Sequence, residues 1–244
     1  MLNKKALIIG CSGSKDSSSY LPGVKNDVKS IKNFLTSPYG GCWDESEIVI
    51  SYNETIDKIK KKIELLRNEN LDYAFVVFSG HGDFDSNKNE RRLWIDEENY
   101  LYESEILDIS KSKKQLTIID ACAGMEEVQE FPTVAMESKG FTSAKKDYRK
   151  IFEEYLVKCP NQEIILYSSE KGEYSTDTSR GGLFIQSLLD TAKENNEYEA
   201  LTVLKVFELS KDRVVRDSKD KQHPCYLAYP KSGKKLPFSL KVRD

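Results

Sequence analysis

Two kinds of hydrophobic pattern alternate along the chain, and their order predicts the fold class. Buried strands are predicted from short apolar runs at residues 6–10, 46–51, 72–78, 115–120, 163–168 and 224–229. Amphipathic helices are predicted from apolar residues at helical spacing at about residues 24–35, 56–66, 144–158, 181–196 and 200–217. Strands that alternate with helices of this length indicate an α/β fold, with a mostly parallel sheet covered by helices on both faces.

Two segments depart from this alternation. Residues 92–102 combine alternating polar and apolar positions with turn residues, which predicts a small hairpin beside the main sheet. Residues 123–147 are polar and have no clear period, so we expect a long loop there, of a length typical of functional loops.

Composition and charge narrow the function classes. The 244 residues carry 37 Lys and Arg against 40 Asp and Glu, a net charge of −3, so we expect no nucleic-acid partner. No apolar run is long enough for a membrane helix or the core of a signal peptide, so we expect no membrane partner. The five cysteines are scattered and odd in number, which disfavours disulfides and structural zinc and favours a cytoplasmic location.

The candidate chemistry lies where two predicted strands end. His81 follows the 72–78 strand between two glycines, and Cys122 follows the 115–120 strand after Asp120. Ligands and catalytic groups collect at the carboxyl ends of parallel strands. If the two strands are neighbours, an imidazole faces a thiol across one crevice, which is the arrangement that a cysteine nucleophile needs.

Each of these residues also has a purely structural interpretation. A cysteine after a buried strand is usually a small apolar core residue, and only its pairing with the single mid-chain histidine favours chemistry. We interpret the other histidine, His223, as structural. The glycine-containing loop at residues 10–14 could hold a nucleotide, but it lacks the spacing of the known phosphate-binding loops.

The motifs Ser79-Gly80-His81-Gly82 and Asp120-Ala121-Cys122-Ala123-Gly124 resemble those of caspase-type peptidases, especially metacaspases and their prokaryotic relatives. Residues 21–27, 166–170, 182–185 and 222–224 are similar to further family segments. The resemblance implies a caspase-like three-layer sandwich with a six-stranded, mostly parallel sheet. It also implies one peptidase domain over residues 1–244, divided into a part at 1–122 with the dyad, a linker loop at 123–150 and a smaller part at 151–244.

The resemblance implies a cysteine endopeptidase in which Cys122 attacks the scissile carbonyl and His81 transfers protons. The N–H groups of Gly82 and Cys122 would form the oxyanion hole. The same resemblance implies a pocket for the substrate residue before the cleaved bond. The matching positions are Val24, Asp27, Ser79, Asp120 and Glu170.

Charge in this pocket predicts the substrate class. Leu21, Glu170 and Asp120 take the positions at which caspases that cleave after aspartate carry two arginines and a glutamine. Carboxylates there would repel an acidic side chain and pair with a cation, so we expect a protein or peptide substrate with Arg or Lys at the cleavage site.

Regulation is less determined by the resemblance. Many metacaspases are activated by calcium, but the matching positions, around Glu103, Glu105 and Gln129, are only partly acidic. Calcium dependence is therefore open and disfavoured. No other cofactor or metal is expected. Self-cleavage is conceivable at the basic residues Lys139, Lys145, Lys146, Arg149 and Lys150, although a solvated helix start explains them equally well. The resemblance implies restraint by an activator or inhibitor protein, in a stress, defence or cell-death response. The alternative function is a catalytically silent caspase-like scaffold.

Overall fold

The computed structural model describes residues 2–107, 109, 114–122, 145–195, 197–230 and 235–242. The strands in chain order are β1 (Lys4–Cys11), β2 (Ile48–Tyr52), β3 (Tyr73–Gly80), β4 (Gly82–Asp85), β5 (Glu90–Trp94), β6 (Tyr100–Tyr102), β7 (Lys114–Asp120), β8 (Gln162–Tyr167), β9 (Asp177–Thr178), β10 (Gly181–Gly182), β11 (Ala200–Thr202), β12 (Cys225–Tyr229) and β13 (Pro237–Leu240). The helices are α1 (Val24–Thr36), α2 (Ile56–Arg67), α3 (Glu103–Leu107), α4 (Lys145–Lys158), α5 (Leu183–Lys193) and α6 (Val203–Asp217), and a 3₁₀ turn covers Glu45–Glu47.

The main sheet has six strands in the order β12-β8-β7-β3-β1-β2. Five of these strands run parallel, and only β12 at the edge runs antiparallel to its neighbour β8. The predicted fold class, an α/β sandwich with a mostly parallel six-stranded sheet, is therefore confirmed. All six predicted strands are present, and each lies within two or three residues of its predicted ends.

Alternate residues of each strand face two separate hydrophobic cores, because successive side chains of a strand point to opposite faces. In β1, Ile8 packs in the core that also contains residues of α1, α4, α5 and α6, whereas Leu7 and Ile9 pack in the core with α2 and α3. This division places helices on both faces of the sheet. Both cores hold fully buried aliphatic and aromatic side chains.

The predicted hairpin at 92–102 is a three-stranded antiparallel sheet, β4-β5-β6, that begins directly after His81. Strand β4 was missed because Gly82, Asp83 and Asp85 are poor strand formers when judged from sequence. Pairing with β5 and a bidentate ion pair between Asp83 and Arg92 stabilise the strand instead. Leu93 and Leu101 anchor this small sheet in the core on the α2 side.

The linker predicted at 123–150 needs a correction at its second end. Residues 145–150 form the first turns of α4. Arg149 donates hydrogen bonds to both carboxylate oxygens of Glu47, at 2.7 and 2.9 Å, and forms further ion pairs with Asp44 and Glu153. These contacts with residues distant in sequence stabilise the start of the helix. The periodic pattern predicted the helix at about 144–158 but could not predict these contacts. The remainder of the linker, with Lys139 and Gln129, lies outside the described residues.

Candidate active site

The two candidate reactive residues follow neighbouring strands. Strands β3 and β7 are parallel neighbours, and Ser79 is paired directly with Asp120. His81 and Cys122 each follow two residues after this pair, so the chain carries them side by side off the same edge of the sheet. The two strands that precede His81 and Cys122 are therefore neighbours, which was the condition for the two residues to lie close together.

His81 is oriented by the loop that follows β1. Its Nε2 lies 2.6 Å from the carbonyl oxygen of Ser19, and its own carbonyl accepts a hydrogen bond of 3.0 Å from the Trp94 amide. A carbonyl oxygen can only accept, so this contact requires the proton of the neutral ring to be on Nε2. The lone pair is then on Nδ1, and that nitrogen is available as a base.

Cys122 is bracketed by the backbone of Ser175. The Ser175 amide donates to Sγ at 3.3 Å, and the thiol donates to the Ser175 carbonyl at 3.7 Å. Burial raises the pKa of the Cys122 thiol and the charge of Asp120 raises it further, while the Ser175 amide and the positive charge of Arg91 lower it. Among the described residues, the hydrogen bonds of Sγ go to Ser175 and that of the imidazole goes to Ser19, with none between the two.

Two buried carboxylates lie beside this pair of residues. Asp27 on α1 is 1% exposed and Asp120 at the end of β7 is 5% exposed. The Gly182 amide donates to both oxygens of Asp27 at 3.0 Å, and Asp27 also accepts hydrogen bonds of 2.8 Å from Ser79 Oγ and Gln186 Nε2. Asp120 accepts hydrogen bonds from Ser175 Oγ at 2.7 Å and from the Ile185 amide at 3.4 Å.

The N-terminus of α5 therefore faces both carboxylates, and its amides favour their negative charge. Burial raises the pKa of Asp27 well above its ordinary value, and the neighbouring Asp120 charge raises it further, against the hydrogen bonds from Gly182, Gln186 and Ser79. Burial also raises the pKa of Asp120. No Lys, Arg or His in the described ranges lies within ion-pair distance of either carboxylate. Asp27 and Asp120 would both be ionised most readily if a cation were bound beside them.

Glycines allow the backbone to approach at two points of the site. A Cβ atom on Gly82 would lie 2.8 Å from the carbonyl oxygen of Cys122, which is closer than a methyl group allows. A Cβ atom on Gly182 would collide with the carboxylate of Asp120. Only glycine at these positions allows β4 and the start of α5 to close around the two reactive residues and the acidic pair.

The structure unites some of the predicted pocket residues and separates one. Asp27, Ser79 and Asp120 lie together, and buried Val24 lies one helical turn before Asp27, next to Gly10. Glu170 is exposed, and within the described part of the chain no hydrogen bond or ion pair connects it to the aspartates. The amide of Glu170 donates to Glu173 at 3.3 Å, and the assignment of Glu170 to the substrate pocket stays a prediction.

Sequence reasoning missed several residues that complete the site. Ser19 and Ser175 lie in segments without a periodic pattern, Gln186 lies on a helix predicted from its apolar residues, and nothing in the sequence distinguishes the three from ordinary loop or helix residues. The interpretation of His223 as structural agrees with its contacts, because its ring nitrogens lie 2.7 Å from Glu173 and 3.1 Å from Asp220.

Neither a metal site nor a membrane helix is found in the described ranges. No three His, Cys, Asp or Glu side chains of those residues lie close enough to share an ion. Of the positions that the resemblance relates to calcium, Glu103 is half-buried beside Arg91 and Tyr167, and Glu105 accepts a hydrogen bond from the Tyr102 amide and pairs with Lys60. None of the described helices is long and apolar enough to cross a bilayer.

Comparison with known proteins assigns the family. The caspase-domain profile of the C14 peptidases matches residues 3–232, nearly the whole chain. The chain belongs to this family. The match includes both strand ends with His81 and Cys122, the residues Asp27 and Asp120 and the closing segment at 222–224, so the predicted caspase-like identity is confirmed.

Two individual proteins illustrate the relationship of this caspase-domain chain to others. Metacaspase-1 of Eremothecium gossypii is 31% identical over 145 residues, a stretch that covers 49% of this chain and 31% of that protein. The crystal structure of caspase-1 from Spodoptera frugiperda superposes with a TM-score of 0.62 at 16% identity, covering 93% of this chain and 88% of that one. The chain thus spans about a third of the matched metacaspase, and the caspase structure supports the fold.

Proposed function

We propose that this caspase-domain protein is a cysteine endopeptidase that cleaves peptide bonds after Arg or Lys, with Cys122 as nucleophile and His81 as its acid–base partner. The observation that carries the proposal is the pairing of Ser79 with Asp120, which brings His81 and Cys122 off adjacent parallel strands beside two buried aspartates. Family membership supports the cysteine-peptidase class, and the charge of the site supports the choice of substrate residue.

The proposed reaction uses the two nitrogens of His81 differently. Ser19 holds the Nε2–H, so Nδ1 is free to take the thiol proton as Sγ attacks the scissile carbonyl carbon. The tetrahedral oxyanion would be stabilised by the N–H groups of Gly82 and Cys122. The imidazolium then gives its proton to the leaving amine, and a thioester remains on Cys122. In the second half, Nδ1 takes a proton from water, the hydroxide attacks the thioester, and the carboxylate product and the thiol are released.

The proposed preference for basic residues follows from the electrostatics of Asp27 and Asp120. Their raised pKa values reflect burial without a neighbouring cation among the described residues. A guanidinium or ammonium that reaches Asp120 would relieve this unfavourable state, and a guanidinium can form two parallel hydrogen bonds with a carboxylate. An aspartate side chain would increase the repulsion.

The proposed setting is the cytoplasm, with an activator or inhibitor protein restraining the enzyme in a stress, defence or cell-death response. The reduced state of all five cysteines, which lie within the described residues, is compatible with this location. Calcium has no assigned role in the proposal.

Peptide cleavage tests the proposal directly. Fluorogenic peptides that are identical except for Arg, Lys or Asp before the reporter group are offered to the wild type and to Cys122→Ala. We expect cleavage of the Arg and Lys peptides and a loss of about 10⁴-fold or more in Cys122→Ala. Cleavage of the Asp peptide alone, or full activity in the variant, would contradict it. Profiling the cleavage of a proteome digest with the same two proteins then extends the specificity to natural sequences.

A catalytically silent scaffold is the alternative, and the Ser175 contacts on Cys122 are the observation in its favour. A thiol-directed probe with an arginine recognition element separates the two functions. Labelling of Cys122 that requires His81 supports the peptidase. Absence of labelling under all activating conditions, with the fold intact, supports the scaffold.

A further inference from the structure

One buried cation beside the site has no role in the reaction described above. Arg91 on β5 is 4% exposed, although arginine is almost never fully buried without a charged partner. Its neighbour Arg92 points to the other face of the strand and pairs with Asp83 at 2.6 Å. The two arginines are therefore adjacent in sequence but lie in opposite environments, one next to the nucleophile and one on the outside of the small sheet.

Two contacts of the Arg91 side chain lie at the end of β8 and directly after it. Its Nη2 donates to the carbonyl oxygen of Ser169 at 2.7 Å, and its guanidinium lies 4.5 Å from the centre of the Tyr167 ring. Its Nη1 is buried and has no hydrogen-bond partner among the residues that the structure describes. A buried guanidinium stays charged, so its positive field acts on its surroundings without screening by water.

Ser169 belongs to the segment that covers Cys122. This segment runs from Ser168, whose amide bonds the carbonyl of Ile119 on β7 at 3.0 Å, to Ser175 on the thiol. Gln222 holds it at two further points, through the Ser168 carbonyl and the Thr176 amide, each at 2.9 Å. Among the described residues of the β4-β5-β6 sheet, only the side chain of Arg91 donates a hydrogen bond to the backbone in the first half of the 168–175 segment. It therefore connects that sheet to the segment.

We propose that Arg91 is a positioning residue for Cys122, which ties the 168–175 segment to the small sheet and provides the fixed positive charge that favours the thiolate. The inference rests on the proposed role of Cys122 as nucleophile. It assigns to β5 a function that neither the dyad nor the acidic pocket requires.

The charges around Cys122 explain why such a cation is needed. Burial and the anionic Asp120 both disfavour the thiolate, whereas the Ser175 amide and, beside it, the positive charge of Arg91 favour it. On its other sides Arg91 interacts with the charges of Cys225, Glu103 and Tyr167. Glu103 is itself half-buried with a raised pKa, and one of its oxygens is buried and has no hydrogen-bond partner among the described residues; its negative charge cancels part of the charge of Arg91.

The test measures the thiol rather than peptide cleavage. The rate of alkylation of Cys122 by iodoacetamide is followed from pH 6 to 11, with the Cys122 peptide quantified by mass spectrometry. In Arg91→Met we expect the midpoint to rise by about one pH unit, which lowers the thiolate fraction at neutral pH roughly tenfold. Arg91→Lys keeps the charge and is expected to stay close to the wild type.

Two further variants control for loss of structure. Arg92→Met removes the same charge from the same strand and should leave the midpoint unchanged. Glu103→Gln removes the anion that cancels part of Arg91 and should move the midpoint to lower pH. An unchanged midpoint in Arg91→Met, an equal rise in Arg92→Met, or a rise in Glu103→Gln would overturn the inference.

The same proteins separate this inference from the proposed function. If Cys122 is not the nucleophile, cleavage of Arg peptides survives in Cys122→Ala. That result contradicts the proposed function whatever the Arg91 variants show. If only the Arg91 inference fails, cleavage depends on Cys122 while the alkylation midpoint of Arg91→Met equals that of the wild type.

Discussion

The backbone of Ser175 encloses the sulfur of Cys122, with its amide donating to Sγ at 3.3 Å and its carbonyl accepting from the thiol at 3.7 Å. The hydroxyl of the same serine lies 2.7 Å from Asp120. One residue therefore touches both the proposed nucleophile and the proposed pocket carboxylate. A peptide that reaches Sγ with its carbonyl and Asp120 with its side chain must take over contacts that Ser175 now makes.

Removal of the Ser175 hydroxyl tests its effect on the pocket. Ser175→Ala takes a donor from Asp120, and because that hydrogen bond lowers the pKa of Asp120, the pKa should rise further in the variant. We expect the acidic limb of the kcat/KM profile for Arg peptides to move up by roughly one pH unit.

Ser169→Ala is the matched control for this prediction. The Ser169 hydroxyl is buried and has no hydrogen-bond partner among the described residues, so its loss should leave the profile in place. An identical acidic limb in the wild type and in Ser175→Ala would show that the hydroxyl does not influence the pocket charge.

The buried acidic pair should reduce stability at neutral pH. The folded protein holds protons on Asp27 and Asp120 to a higher pH than the unfolded chain does, so stability declines as pH rises from the ordinary aspartate value through the raised one. Asp120→Asn removes one charge of the pair. We expect its Tm to exceed that of the wild type by roughly 2–4 °C at pH 8 and the difference to vanish near pH 4.

Scanning calorimetry at several pH values measures this difference, and the same variant should lose selectivity for Arg peptides. A Tm below that of the wild type at every pH would mean that the hydrogen bonds of Asp120 outweigh its repulsion with Asp27.

A histidine clamp holds the segment that covers Cys122. The ring of His223 contacts Glu173 and Asp220, and its amide donates to Glu173 at 2.8 Å. These hydrogen bonds raise the pKa of His223, so the stabilisation is complete below the unfolded-state value and is lost as pH rises through the folded-state value. In Glu173→Gln the pKa of His223 should fall.

Imidazole resonances in an NMR titration report this change, and with two histidines in the chain the assignment is simple. Glu170→Gln, an exposed neighbour on the same segment without a described contact to His223, should leave the titration of His223 unchanged. A His223 titration that is equal in Glu173→Gln and the wild type would rule out the clamp.

An ion-pair cluster anchors the start of α4. Burial raises the pKa of Glu47, but the hydrogen bonds from Arg149 and Lys4 hold it below its ordinary value. The stabilisation from these hydrogen bonds is therefore present at neutral pH and is lost in acid. Arg149→Ala leaves Glu47 and Glu153 half-buried without this partner, and we expect about 1–3 kcal/mol of destabilisation at pH 7.

Chemical denaturation of Arg149→Ala and of its exposed neighbour variant Lys150→Ala measures this effect, and Lys150→Ala should be neutral. The engaged side chain of Arg149 also makes it a poor site for self-cleavage. A cut after Arg149 in incubated wild-type protein, found by mass spectrometry, would contradict that expectation.

Much of the fold was predictable because the two periodicities of helices and strands are carried by neighbouring residues. The apolar runs around Ile8, Val76 and Ile118 predicted the strands of the parallel sheet, since each of them is buried on both faces. The antiparallel strand β4 escaped prediction because its stability depends on pairing with β5 and on the ion pair of Asp83 with Arg92. Both partners of β4 thus lie on another strand.

The adjacent placement of His81 and Cys122 was predictable for a related reason. His81 and Cys122 follow apolar strands directly, and the general rule that parallel strands place their chemistry at one edge requires no further information. Glu170 marks the limit of this reasoning, because its position relative to the pocket depends on how a surface loop turns.

The amino-acid order was sufficient for the layered α/β architecture, for the two strand ends that carry the sulfur and the imidazole, and for Asp120, whose spacing from Cys122 is covalent. The environment of those groups depended on tertiary structure: Ser19 on the imidazole, Ser175 on the sulfur, Asp27 and the start of α5 beside Asp120, and Arg91 behind the covering segment. The reason is physical. A buried polar atom must find its partner wherever the packed chain offers one, and those partners come from segments that are distant in sequence and carry no pattern of their own.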